Sequence, residues 1–310
     1  MRDQIVQILD EYDIGQFVSI TELSPGYANR SFKLVTGSGV FLFRWVLEKG
    51  FGDLLQELVL LRHLKDFQFP TAYPIAKCDG SYVSAYAPGH AVIYDYIQGE
   101  HPSLSSAVVS QIGESVGRLS VIPQAENFDR QNTINIQSSL ELAEQLPMAP
   151  VRLPDIYDYF IRVSAELSER LVFDLPKGLI HADVFPDNTL FKDDSLMGII
   201  DFEEACTDTL LFDLAMAING FCFPDNSLSE SHLTTLINSY IEKRMLTDLE
   251  WKVLPLYIAW TAHGMLSWHL ARLSQNHLQK QEDRVRELMD RVVGILDREE
   301  ELVQQIRSIR

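Results

Sequence analysis

The chain has 310 residues, 46% hydrophobic and 23% charged, an ordinary globular composition with length for one large domain or two smaller lobes. Its formal net charge of −18 repels phosphate backbones and anionic lipid surfaces, which excludes nucleic acid and membrane as expected partners. No apolar run approaches the roughly 20 residues that cross a bilayer, and Met1 to Asp13 lacks the basic flank and apolar core of a secretory leader. Cys78, Cys206 and Cys222 are odd in number and widely spaced, so neither a disulfide framework nor a zinc site is expected. They read as reduced thiols in a cytoplasmic protein.

Taken in chain order, the first third reads as a small sheet with one helix. "SITEL" and "SFKLVT" are expected strands around the turn "SPGYANR", and "GVFLFRWVL" is a third after "GSG". "DLLQELVLLRHLKDF" carries apolar residues at helical spacing, with Asp53 near its start and Lys65 near its end. "SYVSAYAPG" and "HAVIYDYI" form an expected hairpin that closes on "QGEHP". Helical patterns dominate beyond it, in "SLSSAVVSQIGESVGRLSVI", "DIYDYFIRVSAELSERLV", "SLSESHLTTLINSYIEKRM", "DLEWKVLPLYIAWTAHGMLSWHLARL" and the terminal "EDRVRELMDRVVGILDREEELVQQIRSIR". The expectation is an α+β chain with an N-lobe over residues 1–98, a larger mainly helical C-lobe over 99–310, and a ligand cleft at their boundary near Gly99.

Two stretches break the apolar pattern with polar groups. "GLIHADVFPDNTLF" (178–191) sets His181, Asp183 and Asn188 among apolar residues, and "LMGIIDFEEAC" places Asp201 directly after a strand-like run. Phosphoryl transfer from a nucleotide asks for this set: a carboxylate facing the attacking hydroxyl and oxygen ligands that hold Mg²⁺ on the phosphates. Asp183 is then the base, and Asn188 and Asp201 the metal ligands. "TLFKDDSLMGII" between them reads as a hairpin that returns Asp201 towards Asn188. Burying unpaired carboxylates by accident is costly, which favours a functional reading over a decorated core.

With those residues in view, "HADVFPDN", "IIDFEEAC" and "FDLAMAINGFCF" resemble the aminoglycoside and choline phosphotransferase branch of the protein-kinase-like fold. Within that branch the chain is most similar to the type II homoserine kinases. The resemblance implies ATP and Mg²⁺ as cofactors, Asp183 as the catalytic aspartate, and Asn188 and Asp201 as metal ligands. It further implies His181 as a brace of the catalytic loop and Asp213 as a structural helix-start residue.

The first third supplies candidates for the nucleotide. Gly26 in "SPGYANRSF" allows backbone to approach a phosphate. Arg44 in "FLFRWV" and Glu57 in "LLQELVLL" stand in order for a strand cation paired with a helical glutamate, arginine replacing the more usual lysine. "IYDYI" (93–97), with Tyr94 and Tyr96, is the expected segment beside adenine.

For the acceptor, an amino-acid alcohol needs a cation for its carboxylate and an acid for its ammonium group. Glu203, with Glu204 and Asp208 after it, is a candidate, and the resemblance of "SWHLARL" to a family segment ending in Arg-Leu adds Arg272, with Trp268 beside it. The segment carries Ser267 where the resembled family has a further arginine. The sequence therefore reads as a small-molecule kinase acting on a hydroxyl, most similar to enzymes that phosphorylate L-homoserine in threonine biosynthesis. Two other readings stay open: a choline, ethanolamine or amino-sugar kinase, with Tyr257, Trp260 and Trp268 as an aromatic wall, and a non-catalytic nucleotide-binding scaffold. The oligomeric state is unknown from sequence.

Overall fold

The computed structural model describes residues 2–23, 29–47, 49–125 and 128–310. In chain order the structure opens with α1 (Arg2–Leu9), β1 (Phe17–Glu22), β2 (Asn29–Thr36), β3 (Gly39–Val46), α2 (Phe51–Asp66), β4 (Ser84–Ala85) and β5 (His90–Asp95). It continues with α3 (Ser106–Ser120), α4 (Ile136–Gln145), α5 (Pro154–Arg170), β6 (Lys177–Ile180), β7 (Thr189–Lys192), β8 (Ser195–Ile199) and β9 (Cys206–Thr209). The remaining helices are α6 (Leu210–Phe221), α7 (Glu230–Ile241), α8 (Asp248–Gln275), α9 (Gln279–Leu296) and α10 (Glu299–Ser308). The chain divides into two compact units: one of Met1–His101, Ala125–Asp129 and Thr189–Glu203, the other of Pro102–Gln124, Arg130–Asn188 and Glu204–Arg310.

The first unit is built on an antiparallel sheet in the order β1-β2-β3-β5-β4. Period-2 alternation decides what each face carries. Phe43 on β3 and Ala91 and Ile93 on β5 join Phe32 and Leu34 of β2 in one core cluster. The same cluster takes in Ile5, Ile8 and Leu9 of α1, so the charged opening segment is a helix with one apolar stripe sealing that face. Arg44, between Phe43 and Trp45, falls on the opposite face by parity. Its backbone pairs with Val92, and Leu42 pairs with Tyr94.

α2 spans 51–66, close to the expected helix, and buries Leu54, Glu57, Leu58, Leu61 and Leu64. The expected hairpin over 81–97 is lopsided: β5 is a full strand, whereas its partner arm is the two residues of β4. The far end of that arm is displaced by the 73–75 segment, whose Ile75 N–H donates to Ile93 O at 2.8 Å and whose Tyr73 O accepts the Asp95 N–H at 2.9 Å. The β7–β8 hairpin forms as the sequence suggests, pairing Thr189 with Ile199. Its tip, Asp193 and Asp194, takes φ of 49° and 58°, the backbone of a tight primed turn that Asp tolerates.

The second unit is mainly helical. α3 lies so close to α7 that a Cβ on Gly113 would meet Leu236 O at 2.3 Å. α6 is buried along almost its whole length, and α8 is the long central helix, started by a capping box between Thr247 and Glu250. β6 and β9 form a two-stranded antiparallel ladder. The terminal pattern expected as one run is two helices, α9 and α10, which break at Asp297 and Arg298. α4, in a stretch left unassigned by pattern, is capped by the Asn135 side chain accepting the Ser138 N–H at 3.0 Å.

Candidate active site

In the first unit the chemistry gathers around one buried carboxylate. Glu57 is only 2% exposed, and its two oxygens are held by different cations: Arg44 Nη1 at 3.1 Å from Oε1 and Lys49 Nζ at 2.7 Å from Oε2. Such a group survives burial only because it is paired. The second arm of the Arg44 guanidinium donates to Asp201 Oδ1 at 3.1 Å and to Glu203 Oε2 at 3.0 Å. Asn29, at the start of β2, also donates to Glu203 Oε2 at 3.0 Å.

Burial disfavours the charged form of Arg44, but Glu57, Asp201, Tyr94 and Glu203 outweigh it and keep the guanidinium ionised. Glu203 is raised, first by burial and then by Asp201, with Arg44 and Lys49 acting against both. Asp201 itself sits two residues past β8 with φ of 67°, a left-handed backbone that an aspartate adopts at modest cost.

Two residues here carry contacts that no local sequence pattern shows. Glu203, expected on the acceptor side, is engaged by Arg44, Lys49 and Asn29. Lys49 carries no sequence signal, because a lone lysine in the connection before α2 belongs to no pattern. Of the other nucleotide candidates, Tyr94 is buried beside Arg44 and Glu57, and its hydroxyl is pushed well up by burial and by Glu57. Tyr96 lies under the Lys33 ammonium, which is 5.2 Å from its ring centroid. β5 is an interior strand and no sheet edge, pairing with β3 on one side and β4 on the other. Gly26 lies outside the described residues.

In the second unit β6 leads straight into the His181–Asp183 turn. Ala182 has φ of 67°, a conformation costing an alanine about 1–2 kcal/mol. Asp213, in the first turn of α6, holds that turn with both oxygens: Oδ2 accepts the His181 N–H at 2.6 Å and Oδ1 the Ala182 N–H at 2.8 Å. Burial pushes the Asp213 carboxyl up to about 7, against the two N–H donors that favour its ionised form.

His181 is fully buried, and its Nδ1 accepts the Asp183 N–H at 3.2 Å, which puts a neutral ring's proton on Nε2. Asn188 spends its amide nitrogen on Asp183, donating to Oδ2 at 2.7 Å and to the backbone O at 2.9 Å. Its carbonyl oxygen is the atom left to act as an acceptor. Asp213 and His181 thus both contact the backbone of the turn that carries Asp183.

Arg272 stacks over the Trp268 ring, its guanidinium carbon 3.2 Å from the centroid. Trp268 is exposed, whereas Tyr257 and Trp260 are core residues and present no open aromatic wall.

The donor sets suit Mg²⁺, a hard cation that takes carboxylate and amide oxygens and leaves coordination positions for phosphate and water. The Asp201 carboxylate and the Asn188 carbonyl are oxygens of that kind. Among the described residues no three His, Cys, Asp or Glu side chains cluster as a ready-made metal cage. This is compatible with an ion held by one or two protein oxygens together with a nucleotide.

A model of the phosphotransferase enzyme family matches residues 19–234. The homoserine kinase of Nitrobacter winogradskyi is 31% identical over 259 residues, covering 82% of this chain and 79% of that protein. The homoserine kinase of Rhodospirillum rubrum is 32% identical over 263 residues, covering 82% and 80%.

Among solved structures, amicoumacin kinase hAmiN in complex with AMP-PNP, Ca²⁺ and Ami superposes with a TM-score of 0.72 at 13% identity, covering 94% of this chain and 92% of that one. Spectinomycin phosphotransferase APH(9)-Ia in complex with ADP and spectinomycin gives 0.68 at 14%, covering 94% and 98%. The fold is protein-kinase-like, with a five-stranded antiparallel sheet in the N-lobe and a larger, mainly helical C-terminal part. The chain belongs to the phosphotransferase enzyme family, as an ATP-dependent phosphotransferase that acts on a hydroxyl group.

Proposed function

We propose that the chain transfers the γ-phosphoryl group of ATP to the side-chain hydroxyl of L-homoserine, giving O-phospho-L-homoserine in threonine biosynthesis. The observation that carries this reading is the similarity, over four-fifths of both chains, to proteins named homoserine kinase. In the proposed reaction the hydroxyl oxygen bonds to the γ-phosphorus as the bond to the β–γ bridging oxygen breaks, and ADP leaves. Asp183 accepts the hydroxyl proton. Its orientation is supported by the Asn188 amide and by the His181 ring under its N–H.

Asn188 Oδ1 and Asp201 are the proposed ligands of Mg²⁺, which when bound neutralises charge on the phosphate oxygens. Arg44, kept ionised by its carboxylates, is the proposed cation for the phosphates, with Glu57 orienting it. Residues 1–98 are assigned the nucleotide, with Tyr94 and Tyr96 on the adenine segment, and residues 99–310 the base and the acceptor. A cytoplasmic location goes with the reading, since ATP is supplied there and the exposed thiol of Cys78 is a free cysteine.

The test is ADP release by the purified protein with L-homoserine, choline, ethanolamine and amino sugars as acceptors. Turnover on L-homoserine above the others is the expected result. Turnover confined to choline or an amino sugar would reassign the acceptor, and ATP binding without turnover on any of them would leave a scaffold.

A further inference from the structure

We infer that Arg130 is the residue that receives the acceptor's α-carboxylate, in a subsite for a zwitterionic amino-acid alcohol formed by the 130–135 loop and the segment 204–208. This deepens the proposed function and rests on it. Arg130 Nη1 is buried yet has no hydrogen-bond partner among the described residues, and the same holds for the hydroxyl of Thr207. A buried guanidinium N–H without an acceptor is costly, so the donor calls for a completing partner such as an ordered water, an ion or a ligand.

The two groups belong to one structural device. The Thr207 N–H donates to Arg130 O at 3.0 Å, which lays the loop along β9 on the side away from β6. From the same loop, Thr133 donates to Glu204 Oε2 at 2.9 Å and Asn132 to Asp208 Oδ2 at 2.8 Å. Arg130, Glu204 and Asp208 all act electrostatically on the buried Cys206 thiol between them. One cation and two oriented carboxylates within a few residues match a ligand that carries both an α-carboxylate and an α-ammonium group.

Their place in the fold fits an acceptor. β6 and β9 pair Leu179 with Thr207 and Ile180 with Cys206. β6 runs on into the His181–Asp183 turn, so Glu204 stands at the end of the ladder where Asp183 emerges. Arg272, the cation named from sequence, lies over Trp268 on α8. Arg130 was not legible as a ligand because nothing in "DRQNTIN" differs from an ordinary polar loop.

The experiment uses the purified full chain and two acceptors, L-homoserine and 3-aminopropan-1-ol, which keeps the hydroxyl and ammonium groups but has no carboxylate. The wild type should prefer L-homoserine by about 10- to 100-fold in kcat/KM, the range of one charged hydrogen-bonded pair. In Arg130→Gln that preference should vanish through a higher KM for L-homoserine, with the KM for ATP unchanged. Arg130→Lys should restore part of it, since charge returns without the planar fork.

An unchanged preference in Arg130→Gln, or an equal loss with both acceptors, overturns the assignment. Should Arg130→Gln fail to fold, Thr207→Val carries the test through the same ratio, a smaller fall supporting the subsite and an unchanged ratio overturning it. Failure of the wild type to phosphorylate L-homoserine at all is a different result and refutes the proposed function itself.

Discussion

Ala182 holds a left-handed backbone with φ of 67°, and its N–H is fixed 2.8 Å from Asp213 Oδ1. The partner N–H of His181 rests on Oδ2 of the same carboxylate at 2.6 Å. One buried aspartate therefore stabilises the backbone that a strained alanine would otherwise relax, and the turn it holds leads directly into Asp183. Burial pushes the Asp213 carboxyl up to about 7.

A carboxyl whose folded pKa lies above its unfolded value of about 3.9 stabilises most at low pH. That contribution is complete below about pH 4 and is lost as pH rises through about 7. Asp213→Asn removes the titration and turns an amide N–H₂ towards one of the two donors, at a cost of about 1–3 kcal/mol. The difference in unfolding free energy between wild type and variant should be larger at pH 5 than at pH 8, as read from urea denaturation at both. A difference that stays flat or grows with pH would show that this carboxyl is ionised throughout.

The Glu57 site predicts non-additivity. Arg44→Met and Lys49→Met each leave Glu57 with one of its two cations. Together they leave a carboxylate that is 2% exposed with neither, the kind of unpaired buried charge that costs about 3–5 kcal/mol. The double variant should therefore lose more stability than the sum of the singles, by about 1 kcal/mol or more. Additive losses in a urea double-mutant cycle would mean that the two cations act independently of Glu57.

Where the sequence carries a periodic signal, the fold was readable from it, and the candidate site residues were legible as breaks in that signal. The β7–β8 hairpin announced itself by apolar arms around "KDD", and α2 by leucines at helical spacing with Glu57 among them. Asp183, Asn188, Asp201 and Asp213 stood out because each interrupts apolar surroundings. What stayed hidden has long-range causes.

α6 is buried all round, so it shows no amphipathic stripe to mark its length. The α9–α10 break at Asp297 has no Pro, and Gly294 lies inside the last turn of α9 instead of at the break. Lys49 and Asn29 gain their meaning only when Glu57 and Glu203 are folded onto them, and Glu203 faces Arg44 for reasons no local pattern contains.

Gly89 has φ of 109°, and a Cβ there would lie 2.2 Å from Val46 O at the end of β3. Gly89→Ala combines a disfavoured backbone with a backbone clash and should cost about 2–4 kcal/mol. Gly52, in the first turn of α2, would meet nothing within 4 Å, so Gly52→Ala should stabilise by about 0.5–1 kcal/mol. Chemical denaturation of the pair checks both signs at once, and equal effects would contradict the close approach at Gly89.

The proposed division of labour between the two aspartates separates chemistry from binding. Asp183→Asn keeps size and shape but cannot take a proton, so kcat should fall by about 10²- to 10⁴-fold. Nucleotide affinity, which does not draw on Asp183 in the proposal, should change little. Asp201→Asn removes a carboxylate from the proposed metal ligands and one of the three that hold Arg44; Glu57 and Glu203 keep the guanidinium in place. Its expected signature is therefore weaker nucleotide binding in the presence of Mg²⁺, with affinity measured in EDTA left near that of the wild type. Isothermal titration with ADP, with and without Mg²⁺, distinguishes the roles: an Asp201→Asn variant with undiminished Mg²⁺-dependent affinity would remove Asp201 from the ligand set, and an Asp183→Asn variant with normal turnover would remove the base.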